Sequence, residues 1–368
     1  MERKRKVLFV VHSLQGGGAE RVIVQLVNNL NRQRYVPLLA LGEFEGPYLR
    51  DVKDDVAMYR LGARRARAAM PSVLKMVWSL RPDVVVSTAG LNFAVALASP
   101  LFPRGTRVVL REANSVSAFL QEVRKRSSLT AWCYRLVYRL VYRFVDLVVC
   151  QSDFMLQDIA ALTGLPSNKL VRIHNPVDLQ RIAALADQED SGVVGTGPHL
   201  VAVGRCSYQK GYDILLQAVA MVRQMHPSTT LTILGEGEER HGLECLAARL
   251  QLGSAVRFLG FQSNPYSYIK RADVFVSSSR YEGSANVILE AMACGKPVVA
   301  TDCPSSNREV IEEGVTGWLA RVEDAQSLAA TISRAIAGRA ELDATAIRAR
   351  CESLCSVGHV MALYEGCL

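Results

Sequence analysis

Apolar runs that alternate with amphipathic segments are the feature of this 368-residue chain that most restricts its fold. Strands that alternate with helices form parallel sheets covered on both faces. In the first half we expect strands at residues 6–11, 36–41, 57–61, 84–88, 107–112, 147–152 and 169–175. A second strand-loop-helix series starts at residue 199, after a polar, glycine-rich stretch. The pattern predicts an α/β protein with two Rossmann-like domains.

The domain boundaries follow from this change in composition. We predict an N-terminal domain over 1–185, a linker over 186–198, a C-terminal domain over 199–350 and a last helix over 351–368. With 49% hydrophobic and 21% charged residues, the chain has the composition of a soluble globular protein. Its nine cysteines include no CxxC pair, which favours reduced thiols in the cytosol.

Two apolar stretches resemble a signal peptide and a membrane-spanning helix. The run after the basic N-terminus is too short for a signal peptide and leads into a glycine loop, so we interpret it as the first strand. The uncharged residues between Asp83 and Arg104 approach membrane-spanning length, but small and polar residues interrupt them. We expect a strand, a loop and a buried helix there.

The positive charge is concentrated in the first half. Residues 1–180 contain 26 basic and 14 acidic residues, a net charge of +12, whereas residues 181–368 contain 17 and 21, a net charge of −4. The first half is therefore expected to face an acidic partner. A nucleic acid, an anionic membrane surface or a phosphorylated acceptor all fit.

A predicted helix over 285–293 follows Glu282 and Gly283 and carries a second carboxylate, Glu290. The backbone amides of Ser284, Ala285 and Asn286 at its start favour a negatively charged or hydroxyl-rich ligand. Glu290 is flanked by apolar residues, so it needs an assigned partner, either a ligand or a structural one. Two carboxylates beside a helix N-terminus suggest a site for a sugar nucleotide.

The loop after the strand at 199 carries two cations, Arg205 and Lys210, at its two ends. A planar guanidinium and a point-charge ammonium suit a diphosphate whose negative charge grows as it leaves.

These motifs resemble the retaining GT-B glycosyltransferases of family 4. The resemblance rests on two glutamates separated by seven residues, on the following EAMACGKPVVATD, on GRxxxxKG at Arg205, and on GGAER near the N-terminus. It covers nearly the whole chain. It implies two Rossmann-like domains facing across a cleft, with the C-terminal helix crossing back to the first domain.

The resemblance also implies roles for single residues. Glu282 would hold hydroxyls of the donor sugar, Glu290 the ribose, and the backbone around Gly235, Glu236 and Phe261 the base. The predicted donor-binding residues are Gly16, Gly17, Arg205, Lys210, Gly235, Phe261, Gly283, Ser284, Ala285, Asn286, Val287 and Glu290. Neither a metal ion nor another cofactor is expected. Family relatives often have glycine and proline where Ser306 and Asn307 stand, which leaves the sugar preference open.

The first glycine loop does not fit a dinucleotide-binding enzyme. With Gly16 and Gly18 as the first two glycines, the third position of the fingerprint is Arg21, which disfavours NAD. In the family this loop lines the cleft opposite the nucleotide. A tight turn without a ligand is the alternative.

Three residues at the carboxyl end of the strand at 107–112 are expected on the acceptor side: Arg111, Glu112 and Asn114. Polar residues at the carboxyl ends of strands point into the ligand crevice of open α/β sheets. Glu112 is the candidate acceptor contact, or a catalytic base, alongside Glu282 as the second candidate catalytic residue. The alternative is a buried ion pair between Glu112 and Arg111.

The segment between Thr130 and Asp146 repeats every four residues. On a helix its arginines form one winding stripe: Arg135, Arg139 and Arg143. We predict tyrosines on one side of this stripe and Leu136, Leu140 and Phe144 on the other, with a basic, tyrosine-edged surface. That surface would meet anionic lipid headgroups or a lipid-linked pyrophosphate acceptor. A solvated charged face is the alternative.

We therefore predict a metal-independent retaining hexosyl or N-acetylhexosaminyl transferase. It would use a nucleotide-diphosphate sugar, with a UDP-sugar favoured, and act on a glycan or lipid-linked glycan of lipopolysaccharide or capsule biosynthesis. We expect a cytoplasmic location, peripheral on the inner face of the membrane, and no nucleic-acid partner. The alternatives are a nucleotide-sugar epimerase with a GT-B-like fold and a basic nucleic-acid-binding protein.

Overall fold

The computed structural model of the protein describes residues 3–15, 17–62, 69–188, 197–284 and 286–368. Within these residues the chain forms two compact units. The first comprises the chain up to Pro176 together with Val357–Leu368, and the second comprises Val177–Ser356. Each unit contains one parallel β-sheet. The predicted α/β class with two Rossmann-like halves is thereby confirmed.

The first unit has a sheet of seven strands among the described residues, in the order β3-β2-β1-β4-β5-β6-β7. The strands are β1 Arg5–Val11, β2 Tyr35–Leu41, β3 Ala57–Arg60, β4 Val84–Thr88, β5 Arg107–Arg111, β6 Leu147–Cys150 and β7 Leu170–Arg172. The helices between them are α1 Gly18–Asn29, α2 Met70–Leu80, α3 Asn92–Ala98, α4 Val116–Arg126, α5 Ser128–Val141 and α6 Asp153–Thr163. Strands β4 and β6 are apolar without alternation because helices cover both faces of the sheet, whereas the edge strand β3 is mostly exposed.

The second unit repeats this topology with six strands in its described part, in the order β10-β9-β8-β11-β12-β13. These strands are β8 His199–Val203, β9 Thr230–Leu234, β10 Val256–Gly260, β11 Val274–Ser277, β12 Val298–Thr301 and β13 Gly317–Ala320. Its helices are α7 Leu179–Ala186, α8 Tyr212–Met225, α9 Arg240–Arg249, α10 Tyr266–Arg271, α11 Asn286–Ala293, α12 Asn307–Val310, α13 Ala325–Gly338 and α14 Ala344–Cys355.

The boundaries of the units differ from the predicted ones. Helix α7 packs against α10 and α11, so the second unit begins at Val177 and not after residue 186. The predicted last helix over 351–368 is part of two helices. Helix α14 packs on α11, whereas α15, Val357–Cys367, belongs to the first unit and packs on α1.

The C-terminal helix α15 is tied to the first unit by specific hydrogen bonds. The Glu365 carboxylate accepts from the backbone N–H of Asn31 at 2.8 Å, and the Tyr35 hydroxyl donates to the Glu365 carbonyl at 3.1 Å. Among the described helices, none has both the length and the apolar character needed to cross a bilayer.

Candidate functional site

The motifs of the second unit converge where the strand order of its sheet reverses, between β8 and β11. Ligands of open α/β sheets bind outside the carboxyl ends of the strands at this switch point. Two loops leave the sheet there, 204–211 after β8 and the loop that follows β11. The first carries Arg205 and Lys210 and the second carries Glu282, so two motifs that are distant in sequence meet in space.

A buried ion pair joins these two loops. The Lys210 ammonium donates to Glu282 Oε1 at 2.5 Å, and the two side chains are only 16% and 8% exposed. The Ser279 hydroxyl donates to the same oxygen at 2.7 Å, and Gln209 Nε2 donates to the other oxygen at 3.3 Å. These hydrogen bonds offset the desolvation of the two charges. The structure therefore places two predicted site residues in direct contact.

Backbone contacts hold the loops in this position. The Ser278 hydroxyl donates to the Lys210 carbonyl at 2.8 Å, and the Arg280 amide donates to the Gln209 carbonyl at 2.8 Å. Gly211 has φ +60°, and a Cβ there would lie 2.3 Å from the Ser278 carbonyl oxygen. Only glycine allows this close approach.

Arg280 was not predicted as a site residue, yet it supports the pair. It binds the Asp213 carboxylate through two hydrogen bonds of 3.0 and 2.7 Å and the Glu323 carboxylate at 2.9 Å. Its guanidinium lies 4.0 Å from the ring centroid of Tyr208. Burial disfavours its charge, but the bonds to the two carboxylates outweigh that effect and raise the pKa of Arg280.

The start of α11 carries the remaining donor motif. Gly283 is buried, and the Ser284 hydroxyl is buried with no hydrogen-bond partner in the described chain. Asn286 and Val287 are half-buried in the first turn of the helix, and Glu290 is buried one turn further on. The unsatisfied Ser284 hydroxyl favours a polar ligand here. Ala285 lies outside the described residues.

The other predicted donor residues lie on the carboxyl edge of the same sheet. Gly235 follows β9 with φ +146°, and a Cβ there would lie 1.9 Å from the Gly204 carbonyl oxygen. Phe261 follows β10 and is 68% exposed, which leaves its ring available for stacking. Arg205 is exposed.

The first glycine loop is described only in part. Gly17 precedes α1 and lies against the Glu20 side chain, whose carboxylate would be 2.2 Å from a Cβ at this position. Gly16 lies outside the described residues.

In the first unit, Glu112 lies within a buried polar cluster. Its Oε1 accepts hydrogen bonds from the Tyr142 hydroxyl and from Asn92 Nδ2, the latter at 3.1 Å. Burial raises the pKa of the Glu112 carboxyl, and the bonds from Tyr142 and Asn92 and the charge of Arg111 act in the opposite direction. A carboxyl of this kind can hold a proton at higher pH than an exposed glutamate.

The ion pair between Arg111 and Glu112 that we considered from the sequence does not form. Arg111 donates to Thr88 Oγ1 at 3.0 Å and to Asn175 Oδ1 at 2.5 Å, whereas Glu112 has other partners. Neighbouring residues on a strand point to opposite faces of a sheet, which separates the two side chains. Arg111 is 1% exposed, and its contact with an acceptor stays a prediction. Asn114 is exposed.

Two of the three tyrosines of the four-residue repeat pack inward, whereas Tyr134 is 37% exposed, which corrects the predicted surface. Tyr138 is buried with its ring centroid 4.5 Å from that of Phe93, and Tyr142 is also buried. The row of Leu136, Leu140 and Phe144 is exposed instead. The exposed face of this segment is therefore basic and leucine-rich.

The three stripe arginines have different environments. Arg135 lines a groove between α4, α5 and α6, and Arg139 Nε donates to the Leu162 carbonyl at the end of α6 at 3.1 Å. The helix ends at Val141, so Arg143 is exposed in the following 3-10 turn.

Comparison with known proteins adds the family. Residues 185–351 match the family model described as Glycosyl transferases group 1, and residues 16–181 match the model described as Glycosyltransferase Family 4. The chain is 30% identical over 330 residues to the lipopolysaccharide core biosynthesis glycosyltransferase LpsE of Rhizobium meliloti, with 89% of this chain and 87% of LpsE covered. The chain belongs to the family 4 glycosyltransferases.

Two further similarities agree with this assignment. The chain is 26% identical over 343 residues to N-acetylgalactosamine-N,N'-diacetylbacillosaminyl-diphospho-undecaprenol 4-alpha-N-acetylgalactosaminyltransferase of Campylobacter jejuni, with 88% of each chain covered. The crystal structure of HepE from Anabaena in complex with UDP matches with a TM-score of 0.79 and 24% identity over 98% of each chain. This structural similarity shows the GT-B fold.

We predict that Lys210→Met lowers the free energy of unfolding by about 3 kcal/mol, because Glu282 is left buried without its counter-charge. Adding Glu282→Gln should recover most of this loss. Urea unfolding measures both effects. Arg334→Met removes one partner of an exposed pair with Glu313 and should change stability by less than about 1 kcal/mol. A Lys210→Met variant as stable as the wild type would contradict the prediction.

Glu112 should give the first unit a specific pH dependence. The unfolded carboxyl has an ordinary pKa of 4.5, and the folded pKa is higher. Its stabilising contribution is therefore complete below pH 4.5 and is lost as the pH rises through the folded pKa. The wild type should lose stability relative to Glu112→Gln over that range, measured by urea unfolding. The exposed control Glu122→Gln should show the same dependence of unfolding free energy on pH as the wild type. If Glu112→Gln also showed that same pH dependence, the assignment would be refuted.

Proposed function

We propose that this protein is a retaining glycosyltransferase that moves a hexosyl or N-acetylhexosaminyl group from a UDP-sugar to a hydroxyl of a glycan or lipid-linked glycan. The contact of Lys210 with Glu282 beside the start of α11 carries this proposal. UDP is the ligand named for HepE, the relative in R. meliloti is named for lipopolysaccharide core biosynthesis, and the relative in C. jejuni is named for a diphospho-undecaprenol substrate.

The roles follow from the chemistry of the donor. Lys210 and Arg205 bind the diphosphate, and the backbone amides at the start of α11 bind the phosphate side of the donor sugar. Glu290 accepts hydrogen bonds from ribose hydroxyls, and Glu282 positions hydroxyls of the sugar. A metal ion is not needed in this account, because the two cations and the helix terminus stabilise the leaving diphosphate.

Transfer breaks the bond between the sugar C1 and the diphosphate oxygen and forms a bond from C1 to the acceptor oxygen. The acceptor attacks the face that the diphosphate leaves, and its proton passes to the leaving phosphate. The configuration at C1 is retained without a protein nucleophile. Lys210 contributes most as charge accumulates on the leaving group. Glu112, whose carboxyl has a pKa raised by burial, is the proposed acceptor contact or base.

Donor binding tests this proposal. One UDP-sugar should raise the melting temperature without added metal, because a ligand that binds only the folded state stabilises it. Glu290→Ala and Lys210→Ala should each raise the dissociation constant, measured by calorimetry, by about tenfold. This factor corresponds to the loss of one charged hydrogen bond. The matched controls are the exposed Glu244→Ala and Lys270→Ala, which should bind like the wild type. No stabilisation by UDP-, GDP- or ADP-sugars, or equal affinity in all variants, would reject the donor site.

Exposed apolar side chains of the first unit support a membrane location. We name as the apolar ridge five side chains that are each 45% to 53% exposed: Trp78, Leu97, Leu101, Leu140 and Phe144. Two hydrogen bonds link its parts: Trp78 Nε1 donates to the Leu101 carbonyl at 2.9 Å, and Ser99 Oγ donates to the Phe144 carbonyl at 3.4 Å.

Basic residues accompany the apolar ridge. Arg81 lies 4.4 Å from the Trp78 ring centroid, and Arg143 is adjacent in sequence to Phe144. An apolar surface with a basic margin suits a bilayer with anionic headgroups. We propose that the protein is peripheral on the cytoplasmic face of the membrane, where a lipid-linked acceptor would be presented.

Vesicle binding tests the membrane location. The double variant Leu140→Glu with Phe144→Glu should bind phosphatidylglycerol vesicles at least about tenfold more weakly in co-sedimentation, because it removes two side chains worth about 1.5 kcal/mol each when buried. Met225→Glu changes an exposed apolar residue of the second unit and serves as the control. Equal binding of all three proteins would exclude the apolar ridge as the membrane contact.

A further inference from the structure

A groove on the first unit is not used by the donor site. It lies between α4, α5 and α6 and has a volume of about 470 Å³. This size is within the range typical of small-molecule sites. Its lining combines an aromatic ring, two guanidinium groups and polar side chains: Trp132, Arg124, Arg135, Gln121, Ser128 and Asp158.

The groove has an excess of positive charge. Arg124 lies in the last turn of α4 and Arg135 near the middle of α5, and in the described chain neither has an ion-pair partner. Asp158 is already engaged at the start of α4, where it accepts from the Ser117 amide at 2.9 Å and the Ser115 hydroxyl at 3.1 Å. Its charge is therefore partly compensated by the helix N-terminus. The two guanidinium groups remain available for an anion.

Trp132 is the aromatic residue of the groove lining, which also contains the apolar residues Leu120, Ala131, Ala161 and Leu162. Its side chain is 61% exposed, although large aromatic side chains usually bury more of their surface. An indole face presents a flat apolar surface to the C–H face of a sugar ring. Gln121 and Ser128 offer hydrogen-bonding groups beside it, which suits the hydroxyls of a saccharide.

We propose that this groove binds a saccharide that carries a phosphate group, as part of the acceptor. Trp132 packs on the sugar ring, and Arg124 and Arg135 bind the phosphate through charged hydrogen bonds. The assignment to the acceptor rests on the proposed glycosyl transfer. Binding to the groove is nevertheless measurable without donor or transfer.

An NMR titration that follows the Trp132 indole N–H, assigned with Trp132→Phe, tests the groove. The probes are N-acetylglucosamine 1-phosphate, N-acetylglucosamine, inorganic pyrophosphate and phosphatidylglycerol vesicles. The sugar phosphate should shift the resonance and bind at least about tenfold more tightly than the sugar, the value of one charged hydrogen bond. Binding of pyrophosphate or vesicles as strong as that of the sugar phosphate would show an anion site without a saccharide component and would overturn the proposal.

A pair of double variants separates the groove from general charge. Arg124→Ala with Arg135→Ala should abolish the advantage of the sugar phosphate over the sugar. Arg104→Ala with Arg126→Ala removes the same charge from exposed positions outside the groove and should change the affinity by less than about twofold. Equal losses in both double variants would contradict the proposal.

The donor measurement distinguishes this inference from the proposed function. If a UDP-sugar stabilises the Arg124→Ala, Arg135→Ala variant and the wild-type groove binds no sugar phosphate, the groove assignment fails and the transferase stands. If the groove binds sugar phosphate and no nucleotide sugar binds, the groove is a saccharide site but its role as an acceptor site is lost.

Discussion

The ion pair between Lys210 and Glu282 is the interaction on which the site in the second unit depends. It links the loops that leave β8 and β11, so that a cation and a carboxylate from distant parts of the chain share one position. The pair is buried, and its desolvation is offset by hydrogen bonds from Ser279 and Gln209. The two side chains are therefore held in a fixed orientation before any ligand binds.

Arg280 fixes the β11 loop, which carries Glu282, to neighbouring parts of the second unit. It holds the β11 loop against α8 through Asp213 and against the segment before α13 through Glu323, while stacking on Tyr208. Groups locked by such a shell lose little conformational entropy when the ligand binds. The first unit is organised differently. Its strand ends carry the buried cluster of Glu112, and the groove that contains Arg124 and Arg135 lies between helices α4, α5 and α6.

Much of the fold could be predicted from the sequence because buried parallel strands are continuous apolar runs, as in β1 and β4. Strand β13 is harder to predict, because its four residues, including Gly317 and Trp318, form no such run. The candidate donor residues Lys210, Glu282 and Glu290 could be named from the sequence because they lie in motifs with fixed spacing, and their role in donor binding stays a prediction. Arg280 could not be named, because its partners are 67 and 43 residues away.

The face that α5 turns to the core was also beyond prediction. A four-residue repeat gives the tyrosine and leucine rows the same period, so local pattern does not choose between them. Tyr138 and Tyr142 face the core because Phe93 packs edge-on against Tyr138 and Glu112 accepts a hydrogen bond from Tyr142. The missed unit boundary has a similar origin, because α7 joins the second unit through contacts with α10 and α11.

A crystal structure of the protein with bound UDP-sugar tests the central claim most directly. We predict that the diphosphate lies at the carboxyl edge between β8 and β11, with an oxygen about 3 Å from Lys210 Nζ. The ribose should meet Glu290, and sugar hydroxyls should meet Glu282. A nucleotide bound elsewhere on the chain, with the Lys210 and Glu282 pair undisturbed and remote from it, would contradict the account.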